Sequence, residues 1–204
     1  NKVTVKDWAD FWIQEGICTF GDAMAIEELA GYDAYLQNFR KNSFSFSNSK
    51  PIVQGKDLDE ESAYISDIYG KGAFFMHTLR YVMGDSIFFP AIKGFATDPL
   101  YTYNNRVNTD DVDKYFSARY GSSLQPLFNL YLRTTEKLDI RVKRVSEEMY
   151  QIKLLNLDMD IPVEIITSKG KEKLRLSKKA ITIKSSSMPV IDPEMYYLTK
   201  IIVE

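Results

Sequence analysis

Cysteine and histidine are nearly missing from this chain, with one of each in 204 residues. Cys18 alone permits no internal disulfide and no cysteine metal site. His77 alone cannot make a three-ligand zinc site. No run approaches the roughly 18 uncharged apolar residues that a membrane-spanning helix requires. A charge excess is absent too: 26 Lys and Arg stand against 28 Asp and Glu, a net −2. The lysine-rich stretch 169–184, with Arg175, alternates charge with Leu and Ile and reads as the wet face of a hairpin. With acids balancing the chain overall, nucleic acid is not expected as a partner. What is present is 45% hydrophobic residues, the composition of an ordinary soluble, folded protein rather than a disordered one. The length admits one large or two small domains.

Helical signals dominate before residue 135. The first helix is expected from about Trp8 to Ala30, stopped by Gly31. Residues 42–61, rich in Ser, Asn, Lys and Asp, read as a long loop that borders a site. Phe75, Leu79 and Val82 give an apolar helical stripe from Lys71 to Met83, closed by Gly84. Asp85 is expected to cap a helix through Phe95, kinked at Pro90. Thr109 caps the next, which Gly121 ends, and Ser123 and Pro126 open another through about Arg133. After Lys137 the period becomes two. Six short strands, near 140–143, 150–154, 162–165, 173–176, 180–184 and 198–201, indicate an antiparallel sandwich. The fold class is therefore α+β, with a helical part at 1–135 and a small antiparallel β-sandwich domain at 136–204.

Glu15 is the residue most in need of a reason. At helical spacing Trp8, Phe11/Trp12, Glu15, Cys18/Thr19, Asp22 and Ile26 form one stripe, apolar apart from its carboxylates and Thr19. Glu15 and Asp22 lie two turns apart on it, roughly 10 Å along the axis. A carboxylate among tryptophans is costly unless a metal or several donors meet it. Cys18, on the same stripe, is expected to be a buried, unreactive thiol.

The stretch Trp12-Ile13-Gln14-Glu15-Gly16 resembles the WLNEG segment of the aminopeptidase N family of zinc metallopeptidases. Asn1-Lys2-Val3-Thr4, then Trp8 and Asp10, is similar to that family's approach to the segment. Ile68-Tyr69-Gly70-Lys71-Gly72-Ala73 resembles its YxKG segment, with Gly70 where most relatives carry glutamate. Lys71 to Asp85 is similar to KGAxxLHxLRxxxGD. Thr109-Asp110-Asp111-Val112, followed by Phe128-Asn129-Leu130-Tyr131-Leu132, is similar to TTDD…FFxQWL. The likeness covers residues 1 to about 135 well and the rest loosely.

The resemblance implies the helical C-terminal part of a thermolysin-like catalytic domain, followed by a small β domain. It implies that Glu15 is the third zinc ligand, after a histidine-glutamate-x-x-histidine helix expected a few residues ahead of Asn1. Tyr69 would be the catalytic tyrosine that hydrogen-bonds the tetrahedral intermediate. Asp22, on helix geometry alone, is a candidate to accept a hydrogen bond from a ligand histidine. His77 falls in the LHxLR pattern and is expected to be structural. The parent would be a zinc-dependent aminopeptidase acting on peptides, and this chain alone inactive, with no tightly held zinc. The alternative is a peptide-binding or scaffold protein that has lost the histidines. Without the zinc-binding helix, Trp8, Trp12 and Glu15 are expected to be more exposed than their neighbours, or covered by a crystal or dimer contact. Glu15 and Tyr69 are still expected to share one cleft. Oligomeric state, compartment (cytoplasmic, periplasmic or secreted) and substrate preference stay open.

Overall fold

The computed structural model describes residues 2–42 and 45–204. Asn1 and two positions of the expected 42–61 loop, 43 and 44, lie outside the described residues. The chain divides into two compact units, Asn1–Thr135 and Glu136–Glu204.

The first unit is helical. A 3-10 turn at Trp8–Asp10 leads into α1 (Trp12–Ala30). Gly31 ends α1 with φ 85, a left-handed corner that glycine adopts without strain. The chain does not leave helix there, because α2 (Tyr32–Asn42) starts at the next residue. After a segment without helix or strand, Asp59 caps α3 (Glu60–Ala63), accepting from the Ser62 amide. α4 (Asp67–Met83) is the central element, and every residue from Lys71 to Arg80 is buried. α5 (Asp85–Phe95) runs through Pro90. α6 (Thr109–Tyr120) is held by a capping box between Asn108 and Asp111, and α7 (Gln125–Leu132) has Pro126 in its first turn. The caps of α5 and α6 are Gly84 and Asn108, each one residue ahead of the expected Asp85 and Thr109. Two short parallel strands, β1 (Thr4–Val5) and β2 (Arg106–Val107), tie the start of the chain to the entry of α6.

Aromatic rings fill this core. Trp12, Phe75 and Phe128 meet edge to face across α1, α4 and α7, at 5.6 and 4.7 Å between centroids. Arg80 of α4 is buried and binds Glu27 of α1 and Asp85 at the start of α5, while its guanidinium lies 4.8 Å from the Tyr35 ring centroid. One cation thus fastens four helices with every charge answered.

The second unit consists of two sheets. β3 (Leu138–Ser146), β4 (Met149–Leu154), β7 (Ile181–Lys184) and β9 (Thr199–Val203) form one, in the order β7-β4-β3-β9. β5 (Ile161–Thr167), β6 (Gly170–Leu176) and β8 (Val190–Ile191) form the other, in the order β6-β5-β8. Side chains alternate as a half-buried strand requires: Tyr150, Ile152 and Leu154 of β4 point inward, as do Ile161, Val163 and Ile165 of β5. Pairings are antiparallel except that β9 runs parallel to β3. β8 is a strand of two residues that carried no alternation to read.

Candidate active site

Helices α1 and α4 cross at Gly16 and Gly72. A Cβ on Gly16 would lie 2.7 Å from the Gly72 Cα, so the two backbones are in contact. Glu15 adjoins this contact and Tyr69 stands one turn before Gly72, so both side chains emerge at the same edge of the crossing. Between them stands Tyr64, just past α3. Its hydroxyl donates to Glu15 Oε1 at 3.4 Å and shares a short hydrogen bond with the Tyr69 hydroxyl. Glu15, Tyr64 and Tyr69 are thus joined in one hydrogen-bonded group. Trp8 and Phe11 hold the Tyr64 ring at 6.5 and 5.3 Å. The hydrogen bond with Tyr64 raises the Tyr69 pKa, burial and the Glu15 charge adding to it. Tyr69 is therefore a neutral phenol at pH 7, with a proton to donate.

The structure thus brings Glu15 and Tyr69 together and leaves other expected residues apart. Asp22 is exposed, two turns along α1 from Glu15. Cys18 is exposed, against the expectation of a buried thiol. The core face of α1 is Trp12, Ile13, Gly16, Phe20 and Ala23. Cys18 lies two positions from Gly16, about 200° around the helix, and so points away from that face. Trp12 is fully buried, not exposed as expected, with its Nε1 donating to Thr109 Oγ1 at 2.9 Å. Trp8 is 37% exposed and Glu15 half-buried. His77 is 1% exposed, its Nδ1 bonded to the Tyr35 hydroxyl at 2.7 Å.

Two buried charges frame the first turn of α4. The Asp67 carboxylate accepts from the Ser47 and Asn48 amides at 2.8 and 2.7 Å, which holds that segment over the helix. Lys71 donates to the Thr134 carbonyl at 2.8 Å, and burial brings its pKa down to about 8. A cavity of about 220 Å³ lies beside the Tyr69 ring. Tyr64 and this cavity had no signal in the sequence: the tyrosine sits between a short helix and α4, outside any periodic stripe.

Zinc chemistry needs three protein donors around an open position. Among the described residues no group of three His, Cys, Asp or Glu side chains converges. Glu15 is the one suitable donor at the crossing, and His77 lies in the core. These residues taken alone do not fit a zinc site.

The peptidase family M1 domain matches residues 1–131. The chain belongs to peptidase family M1. Among curated M1 relatives, tricorn protease-interacting factor F2 of Thermoplasma volcanium is 27% identical over 191 residues, covering 84% of this chain and 24% of that protein. Leucyl aminopeptidase of Saccharolobus solfataricus is 28% identical over 180 residues, covering 80% of this chain and 22% of that protein. The chain therefore spans about a quarter of the length of these relatives. In fold it is similar to a crystal structure of Legionella pneumophila aminopeptidase A in complex with aspartic acid, with TM-score 0.72 and 19% identity. That match covers 100% of this chain and 25% of the other. A substrate-bound mutant M1 zinc metallopeptidase from Deinococcus radiodurans gives TM-score 0.55 at 22% identity, over 66% of this chain and 30% of the other. No helix among the described residues is long and apolar enough to cross a membrane.

Proposed function

We propose that this M1 chain is part of a zinc-dependent aminopeptidase that removes N-terminal residues from peptides, and that it contributes one zinc ligand and the oxyanion donor. The observation that carries this reading is the placement of Glu15 and Tyr69 at one edge of the α1–α4 crossing, joined through Tyr64. Glu15 is the carboxylate of a two-histidine, one-carboxylate set, the histidines coming from sequence ahead of residue 1. Bound zinc would polarise the scissile carbonyl and lower the pKa of the attacking water.

The residues of this chain then have distinct tasks. Glu15 brings a negative charge that partly offsets the cation. Tyr69 would exchange its hydrogen bond with Tyr64 for one to the substrate oxygen. Tyr69, kept neutral, donates to the oxygen that becomes negative as the carbonyl turns tetrahedral. Asp22 is assigned the outer carboxylate that orients a ligand histidine, on its place along α1. Expression of the gene product extended upstream of Asn1 tests the reading. It should hold one zinc per molecule and release amino acids from aminoacyl anilides, and Glu15→Gln should lose both. An extended product that binds peptides but neither holds zinc nor hydrolyses them would establish the scaffold alternative instead.

A further inference from the structure

Sheet edges in the β unit are guarded unequally. β6 carries Lys171, Glu172, Lys173 and Arg175 along its length. β7 follows Lys178 and Lys179 and ends in Lys184, while β8 has only two residues. Charge and shortness keep an open edge from pairing with another chain. β9, at the opposite edge of its sheet from β7, has little of either. Its Ile201-Ile202-Val203 run is β-branched throughout, with Ile201 38% and Val203 63% exposed.

The backbone of that edge is open as well. Glu204 donates its amide to the Val142 carbonyl and accepts the Arg144 amide, so both its backbone groups face β3. Alternation along the strand turns the groups of Lys200 and Ile202 the same way, and those of Ile201 and Val203 outward. Among the described residues no strand pairs with the outward side. Ile201 and Val203 share the sheet face of Ile140 and Val142, their register partners on β3. Val203 also rims an open groove with Val145, Tyr150 and Met188. Lys200, Ile202 and Glu204 lie on the other face, where Glu204 stands 3.7 Å from Arg141 with its side chain 44% exposed.

We propose that β9 is a self-pairing edge, through which two copies of this chain associate as antiparallel strands about a twofold axis at Ile202. Ile201 of one copy then stands opposite Val203 of the other, and each such pair exchanges both outward hydrogen bonds. Lys200 stands opposite Glu204 of the second copy, so each end of the pairing sets a cation against an anion. A twofold at Ile201 or at Val203 would instead set Lys200 or Glu204 opposite Ile202 and lose that match. The charges therefore select the occupant, because a second copy supplies in register the complement that the edge displays. Such an interface is isologous and closes on itself, which limits the assembly to a dimer. It joins two four-stranded sheets into one continuous sheet. The inference is independent of the peptidase reading, since it uses no residue of the helical unit.

Sedimentation velocity of the chain over about a hundredfold range of concentration should show a monomer–dimer equilibrium. Val203→Pro removes an outward amide and no bond to β3, and should leave the chain monomeric with an unchanged far-ultraviolet spectrum. Lys200→Glu sets carboxylates opposite each other and should weaken the dimer by at least about fivefold, and Glu204→Lys should do the same with ammonium groups. An equal mixture of those two variants should recover a heterodimer, because each copy then presents the complement of the other. Loss of fold cannot imitate that recovery. A chain that stays monomeric throughout, or a dimer indifferent to Lys200→Glu and Val203→Pro, would overturn the proposal. So would a longer gene product that is monomeric at the same concentrations, because another part of its own chain would then hold the edge.

Discussion

At the scale of single residues, the hydroxyl of Tyr69 carries the strongest chemical expectation. It is neutral at pH 7, lies at the crossing edge with Glu15, and has a partner in Tyr64 from which it can be released. In the extended protein Tyr69→Phe should lower kcat by ~10²–10³ while KM changes little, because the donor serves the transition state more than the ground state. Steady-state kinetics on one aminoacyl anilide decides it. A rise in KM at constant kcat would make Tyr69 a binding residue. Glu15 stood out as a carboxylate on an aromatic helical stripe, and Tyr69 through the resemblance of its segment to YxKG at a matching distance. Tyr64 was not legible, because it follows a four-residue helix whose placement depends on contacts with Trp8 and Phe11 rather than on any local pattern.

At the scale of elements, the α1–α4 crossing shows what periodicity can and cannot supply. A row through Trp8, Trp12, Glu15 and Asp22 is a legitimate helical stripe, yet the buried row runs through Gly16, Phe20 and Ala23. The two rows share Trp12 and then diverge, because the partner helix sits where two glycines let backbones touch. Glycine adds nothing to a hydrophobic stripe, so the deciding contact left no signal. The same helix offers a matched pair of substitutions. Gly16→Ala puts a methyl group 2.7–2.9 Å from backbone atoms of Gly72 and Ile68, and should destabilise the unit by about 1–3 kcal/mol despite better helix propensity. Gly21→Ala meets nothing within 4 Å and should stabilise it by about 0.4–1 kcal/mol. Chemical denaturation of both variants checks the sign.

The β unit carries its own titration. Burial pushes Asp192 up to about 7, although the amides of Tyr197 and Tyr196 donate to its carboxylate and oppose the rise; the Glu164 charge adds to it. Unfolded, an aspartate titrates near pH 3.9. Between roughly pH 4 and 7 the folded unit therefore holds a proton that the unfolded chain releases, so this group makes stability fall as pH rises. Asp192→Asn should remove that slope. Its φ of 51 suits asparagine as well as aspartate, so the backbone is not strained by the change. Over pH 4 to 7.5 the unfolding midpoint of the unsubstituted chain should fall relative to that of the variant as pH rises; a constant difference would show that folding does not raise the Asp192 pKa.

At the scale of the whole molecule, the change of period after Lys137 made the α+β class readable, because a half-buried strand and an amphipathic helix repeat differently. The parallel pairing of β9 with β3 was not readable, since alternation fixes which face is buried but not which neighbour a strand takes. The same division between pattern and partner governs the metal. Glu15 is proposed above as a zinc ligand, but a position binds zinc only when its partners converge on it. His77, the single histidine, has its Nδ1 on Tyr35 and its ring stacked on Phe39 at 4.3 Å, so freeing it would open the core of the helical unit. One half-buried carboxylate cannot replace three donors, and the hydroxyl nearest to it, that of Tyr64, donates to it rather than joining it as a ligand. After dialysis against zinc-free buffer the chain as given should therefore retain far less than one zinc per molecule and hydrolyse no aminoacyl anilide. Metal analysis that returned one tightly held zinc would mean that donors other than Glu15 assemble within these 204 residues, and the assignment of the ligands to sequence ahead of residue 1 would have to be given up.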